Sequence, residues 1–232
     1  MELEKLKTKI FQKQNTNAAH LDYDTRMKIM QKSIDVAILD GKEYLISMIA
    51  IEELSELILE LSKIIQISDS KINYLDTFSI DNIISVSEEI VDVKVALVKL
   101  LRYIGIGVDD INESTTMDVD FLSVVNYFEL ITKDISKYSR GKITEIEDIH
   151  TFTYSIMNVI YICNKLISIF KLDKDILLYI EDIKYERQIS RDDSYIAEKI
   201  QNGDEKFINK FVPKQINGSA YGYGLRRCLI SI

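Results

Sequence analysis

Apolar residues fall at Ile51, Leu54, Leu57, Ile58, Leu61 and Ile65, the three- and four-residue spacing of one face of an α-helix. That spacing predicts a long helix over about 43–67, opening at "GKEY". It recurs along the chain. "DTRMKIMQKSIDVAILD" reads as an earlier amphipathic helix, and a second long helix runs over about 82–104, with Gly105 and Gly107 as stop signals. Third and fourth long helices follow at about 118–139 and 146–170. "DKDILLYIEDIKYERQISR" is a fifth, starting at the N-cap candidate Asp173. "SDSKINYLDTFSIDN" carries Ser, Asp and Asn and reads as a connector. The first 20 residues are polar, and from Glu198 onward the pattern fades.

The scarcity of chain breakers sharpens this picture. There are one proline and eight glycines, against roughly twelve and sixteen at average usage. With long Ile/Leu/Lys/Glu runs, this predicts an all-α protein. The 232 residues, 47% hydrophobic and 28% charged, have a globular composition with enough apolar side chains for a sizeable core. The expected layout is one helical domain over 1–197 and a basic tail over 198–232. The tail from Lys206 onward holds Lys206, Lys210, Lys214, Arg226 and Arg227 and no acid. Two readings of it stand: "SAYGYGLRR" closing over a nucleotide, or a self-docking or loose tail dispensable for folding.

The two halves, 43–106 and 118–192, also align. With "LSK" (61–63) over "ISK" (135–137), Leu54, Leu57 and Leu61 fall on Phe128, Ile131 and Ile135. With "DVKVALVKL" over "NVIYICNKL", Val93, Lys99 and Leu100 fall on Val159, Lys165 and Leu166. Two helical hairpins with related faces predict a four-helix-bundle core, a degenerate tandem repeat flanked by extra N- and C-terminal helices. The alternative is that any two Ile/Leu-rich hairpins align this well.

Charge and rare residues remove several classes of function. A net charge of −8 disfavours nucleic-acid binding through a broad basic face. Cys163, Cys228, His20 and His150 have no zinc spacing, and no disulfide framework is expected, which fits a cytoplasmic location. No apolar run reaches about eighteen residues, so no membrane partner is expected. There is no G-x-x-x-x-G-K loop, neither histidine has a triad partner in view, and Cys163 reads as core.

What remains is acidic. Glu53 and Glu56 lie three apart beside the apolar arc of the first long helix, and Glu89 and Asp92 lie three apart beside the arc of Ile90, Val93, Leu97, Leu100, Leu101 and Ile104 on the second. Antiparallel pairing would make four carboxylates converge at the edge of the core. They cannot all stay ionised without a counter-charge. A hard divalent cation held by carboxylates of facing helices supplies one, with waters left over for a phosphate substrate. A lone E-x-x-E pair is usually a solvated face. Two pairs on consecutive helices favour the metal reading.

"MIAIEELSELILELSK" followed by "SEEIVDVKVALVKLLRYIGI" resembles the E-x-x-E … E-x-x-D signature of the all-α nucleoside triphosphate pyrophosphohydrolases, the superfamily of MazG-like proteins, dimeric dUTPases and phosphoribosyl-ATP pyrophosphatases. The resemblance covers about residues 43–106 and is closest to short MazG-like proteins. It implies Mg²⁺-dependent (or Mn²⁺-dependent) hydrolysis of a nucleoside triphosphate to monophosphate and pyrophosphate, in house-cleaning or pool control. It further implies that Glu53, Glu56, Glu89 and Asp92 hold the metal, with Glu53 and Glu56 activating water and Glu52 and Glu88 flanking. "DKDILLYIEDIKYERQISR" is similar to the family's last helix, which implies that Lys184, Arg187 and Arg191 meet phosphates. Family members complete the bundle with a partner subunit. Here the gap between Glu56 and Glu89 is longer, and the second hairpin lacks the acids: Tyr127, Leu130, Ser155 and Asn158 stand at their positions. The second hairpin would supply the missing half in cis, with a homodimer as the other assembly. Tyr127 and Asn158 would then face the metal site or serve as packing residues. The alternative function is a non-catalytic nucleotide-binding or helical interaction protein with a vestigial acidic site.

Overall fold

The computed structural model describes residues 20–67, 80–107 and 121–212. Over these the chain is all-α, with seven helices and no strand among the described residues. They are α1 (Tyr23–Leu39), α2 (Tyr44–Ile67), α3 (Ile80–Ile104), α4 (Phe121–Ser139), α5 (Ile146–Ile169), α6 (Lys174–Gln201) and α7 (Glu205–Phe211). Local signals set their ends. The Asp22 carboxylate accepts from the Thr25 N–H at 2.7 Å, and Asp173 accepts from the Asp175 and Ile176 N–H groups at 2.9 and 3.1 Å, satisfying donors that a helix start leaves open. Gly105, at φ 94°, ends α3. It lets the Ile106 N–H return to the Leu101 carbonyl at 3.0 Å, a left-handed turn that side chains with a Cβ disfavour.

Helices α2 and α3 pack together, α2 also packs on α4, α3 on α5, and α4 on α5. These four contacts close the ring of a four-helix bundle. Helices α1 and α6 pack on each other and on α3, and α7 packs on α6. One apolar cluster runs through the bundle and both outer helices, from Ile29 to Tyr185. The apolar positions paired by the internal alignment are buried in both hairpins: Leu54, Leu57 and Leu61 with Phe128, Ile131 and Ile135, and Val93 and Leu100 with Val159 and Leu166. The paired lysines differ, Lys99 being half-buried and Lys165 exposed.

The chain departs from the sequence reading at its C-terminal end. Helix α6 runs ten residues past Arg191, so the expected 197/198 boundary falls inside it. "SYIAEKIQ" has good helix formers but only one buried side chain, Ile196, so a helix continues where the apolar pattern fades. Helix α7 was not anticipated either. Its Phe207 is fully buried, 6.0 Å from the rings of Tyr195 and Phe211. The first 19 residues, "SAYGYGLRR" and residues 68–79 of the expected connector lie outside the described residues, and the last three residues of that connector, 80–82, belong to α3 instead.

Helix α5 is apolar and long enough to cross a membrane, which the sequence reading did not foresee. Its Phe152, Ile156, Val159, Cys163 and Leu166 are buried in the bundle. Burial pushes the Cys163 thiol up to about 12, as befits a core side chain rather than a reactive one.

Candidate metal centre

The acidic centre arises from two amphipathic helices pressed face to face. Ala50, Leu54, Leu57 and Leu61 of α2 and Ile90, Val93, Leu97 and Leu100 of α3 fill the seam. Acids one position away from those residues are therefore drawn to the seam's edge. Glu53 and Glu89 are half-buried there, and Glu56 is exposed. One carboxylate oxygen from each of Glu53, Glu56 and Glu89 lies within 4.8 Å of the others.

The acids of the two helices act on one another. Among neighbouring charges, Asp92 and then Glu56 act most strongly on Glu53, and Asp92, Glu56 and Glu53 act on Glu89. Burial is the main cause that lifts the Glu53 and Glu89 carboxyls to about 7, and repulsion from the neighbouring acids adds to it. One oxygen of Glu89, Oε2, is buried and has no hydrogen-bond partner among the described residues.

Asp92 is placed differently. It adjoins the three glutamates, but its Oδ2 accepts from Lys184 Nζ of α6. Burial raises its carboxyl, and the lysine opposes the rise. Lys184, expected at phosphates, therefore stands at the edge of the centre. Arg187 and Arg191 are exposed on the same helix, and Arg191 lines a cavity further along. Of the flanking acids, Glu52 is exposed, whereas Glu88 is buried at 8% exposure and raises Asp92 further. Glu60 pairs with Lys63 at 2.5 Å, away from the cluster.

An oxygen-only set of three carboxylates, one with an orphaned buried oxygen, fits a hard divalent cation. The same arrangement is unfavourable when its members are all charged and no cation is present.

In the second hairpin the aligned positions are neutral. The Tyr127 hydroxyl donates to the Ser155 carbonyl at 3.3 Å. Glu53 and Glu89 align with Tyr127 and Ser155, so a hydrogen bond joins two positions whose counterparts in the first hairpin belong to the acidic cluster. Tyr127 is used within its own hairpin.

Sequence reasoning missed two polar groups. Arg26, 8% exposed, donates through Nε and Nη2 to Asp182 Oδ1 at 3.1 and 2.6 Å and through Nη1 to Glu181 at 2.9 Å. His20 Nδ1 lies 3.1 Å from Asp182 Oδ2. This network pins α1 to α6 across 156 positions of sequence, a separation no local spacing reveals. The second group is Lys99 and Asp192 beside the cavity. Their only sequence signal is a charged residue on the inward side of an amphipathic helix.

Fold and site define an all-α bundle with a carboxylate centre at one seam. Comparison with protein-family models, with curated proteins and with solved structures finds no match.

Proposed function

We propose that the chain is a divalent-metal-dependent nucleoside triphosphate pyrophosphohydrolase. The observation that carries this reading is the convergence of Glu53, Glu56 and Glu89 from two packed helices, with Glu89 Oε2 buried and unpartnered among the described residues and a lysine at the rim. Glu53, Glu56 and Glu89 would hold Mg²⁺ or Mn²⁺. Bound there, the ion supplies charge neutralisation on the phosphates and polarises a phosphoryl oxygen. In the proposed reaction a water oxygen attacks the α-phosphorus, the bond to the bridging oxygen breaks, and pyrophosphate leaves. A Glu53 oxygen left free by the ion would take the water's proton. Lys184 can exchange Asp92 for a phosphate oxygen, and Asp92 keeps it at the rim meanwhile. Asp92 thus positions a cation, and joins the metal ligands only if Lys184 leaves it.

The Asp92–Lys184 pair also favours a second reading, a nucleotide-binding protein without turnover, because it leaves three carboxylates where the motif has four. Both are tested by incubating the chain with canonical and modified NTPs and dNTPs and Mg²⁺, then resolving monophosphate, diphosphate, pyrophosphate and phosphate. Pyrophosphate with monophosphate is the expected outcome, and Glu56→Gln should lower the rate by about a hundredfold or more. Glu60→Gln should leave it nearly unchanged. Metal-dependent thermal stabilisation by a non-hydrolysable triphosphate, with no product from any nucleotide, would establish the binding reading instead.

A further inference from the structure

A cavity of about 450 Å³ lies where α1, α2, α3 and α6 meet, within the size range of small-molecule sites. Its position follows from helix geometry. Ile49, in its wall, is one turn from Glu53, and Gln188 is one turn from Lys184, each about 6 Å along the axis. Lys99 is two turns from Asp92, about 10 Å. The spacings of four and seven keep each pair on one face of its helix. The three helices that carry the acids and Lys184 thus also line the cavity, one to two turns further along. A larger one of about 520 Å³ lies on another face of α3, at Val91, Val95 and Val98.

This 450 Å³ cavity contains a polar group left unsatisfied among the described residues. Asp192 is 6% exposed and lines it. Its Oδ1 accepts from Gln188 Nε2 at 2.8 Å, while its Oδ2 is buried with no partner among the described residues. Beside it Lys99 lies in the wall, its Nζ donating to Ser33 Oγ at 2.5 Å. Burial raises the Asp192 carboxyl and lowers the Lys99 ammonium, and each charge partly restores the other. Ile46, Ile49 and Tyr195 supply flat or apolar wall. A buried carboxylate oxygen without a donor is costly, and a ligand N–H removes that cost.

We propose that this cavity is the base pocket of the same site and that Asp192 and Lys99 select guanine. The inference rests on the hydrolase or nucleotide-binding reading for the phosphates, but makes its own claim about the base. A guanine edge offers two adjacent donors, N1–H and the 2-amino group, to the carboxylate, and next to them an acceptor, O6, to the lysine. Adenine and cytosine offer one amino group beside an acceptor nitrogen. Uracil and thymine offer one N–H between two carbonyls, one of which would be pushed against the Asp192 oxygen. Phosphates carried from a base in this pocket point along these helices toward Lys184 and the glutamates.

The test uses the full chain without metal. Binding of guanosine, 1-methylguanosine and uridine is titrated by saturation-transfer NMR, so that phosphates play no part. Guanosine should bind at least about tenfold tighter than 1-methylguanosine or uridine, the usual worth of a hydrogen bond to a charged group. Asp192→Asn keeps the shape and the bond from Gln188 but turns the inward acceptor into a donor. It should weaken guanosine about tenfold or more and narrow or reverse its advantage over uridine. Lys99→Met provides a second variant should Asp192→Asn lose its fold by circular dichroism, and it too should weaken guanosine. Equal affinity for the three nucleosides, or an order unchanged in the variants, overturns the proposal, as does no binding, which would leave Asp192 solvated by water only. Pyrophosphate release from triphosphates is measured separately. Turnover without base selection defeats the pocket alone. Selection without turnover defeats the hydrolase alone.

Discussion

Glu89 shows how one residue carries both the cost and the chemistry of the centre. Its carboxyl stands near 7 in the folded chain, raised first by burial and then by Asp92, Glu56 and Glu53, against a reference value of 4.5. Between those values the folded protein binds more protons than the unfolded one, so stability falls as pH rises through that window. Glu53 behaves alike. The metal-free protein should therefore melt higher at pH 5 than at pH 8 as far as these two groups decide it. Glu89→Gln should raise the melting temperature by a few degrees at pH 8 and change little at pH 5, because only the ionised form is penalised. Mg²⁺ should stabilise the wild type more at pH 8 than at pH 5, since protons compete with it for the same oxygens. Calorimetric scans at the two pH values, with and without Mg²⁺, check all three. A Glu89→Gln protein no more stable at pH 8 than the wild type would mean that the acids do not strain the fold. The acids themselves were legible in the sequence, because three-residue spacing beside an apolar arc fixes which side of a helix they leave. The tie between Asp92 and Lys184 was not, because it joins residues 92 positions apart through a packing angle that no periodicity encodes.

At the scale of elements, long helices with dense apolar stripes were read closely, and helices held by few contacts were not. Helices α2, α3 and α5 have the extents expected from their stripes to within two residues. The end of α6 and the whole of α7 depend instead on a small aromatic cluster. Phe207 is fully buried between Tyr195 and Phe211, and the Lys199 ammonium lies 5.2 and 5.6 Å from the Tyr195 and Phe207 ring centroids. Lys199 also pairs with Asp40 at 2.7 Å, tying the end of α6 back to the end of α1. A single phenylalanine among polar neighbours has no period, so the sequence gives no warning that it docks. The expectation that the chain beyond Lys206 is dispensable for folding is accordingly replaced by its opposite for α7. Ending the chain at Gly203, or changing Phe207→Ala, should cost about 3 kcal/mol, or about 6–12 °C in melting temperature for a domain of this size. Ending it at Val212 should not. If thermal melts of the Gly203 and Val212 truncations coincide, α7 is not a structural element of the folded domain.

For the whole molecule, the decisive relation is between the two hairpins. They share buried apolar positions but divide the polar work, with acids clustered in one and a tyrosine–carbonyl contact at aligned positions in the other. The acid-bearing hairpin alone would expose one side of α2, which here packs on α4, and one side of α3, which packs on α5. The acid-free hairpin thus covers the surface that keeps α2 and α3 in register, and the geometry of the carboxylates depends on it although it contributes none of the three clustered ones. Phe128, fully buried in the shared core, measures that dependence. Phe128→Ala should destabilise the protein by about 3–5 kcal/mol. Because one apolar cluster spans both hairpins, the loss should appear in a single transition that removes all helicity together. In urea titrations followed by far-UV circular dichroism, Phe128→Ala and Leu57→Ala should therefore shift the same midpoint, one from each hairpin. Mg²⁺ should move that midpoint upward in both variants, since both still assemble the centre when folded. Two separate transitions, with Phe128→Ala shifting one and Mg²⁺ the other, would instead mean that the hairpins are independent units and that the acidic seam holds its register without its partner.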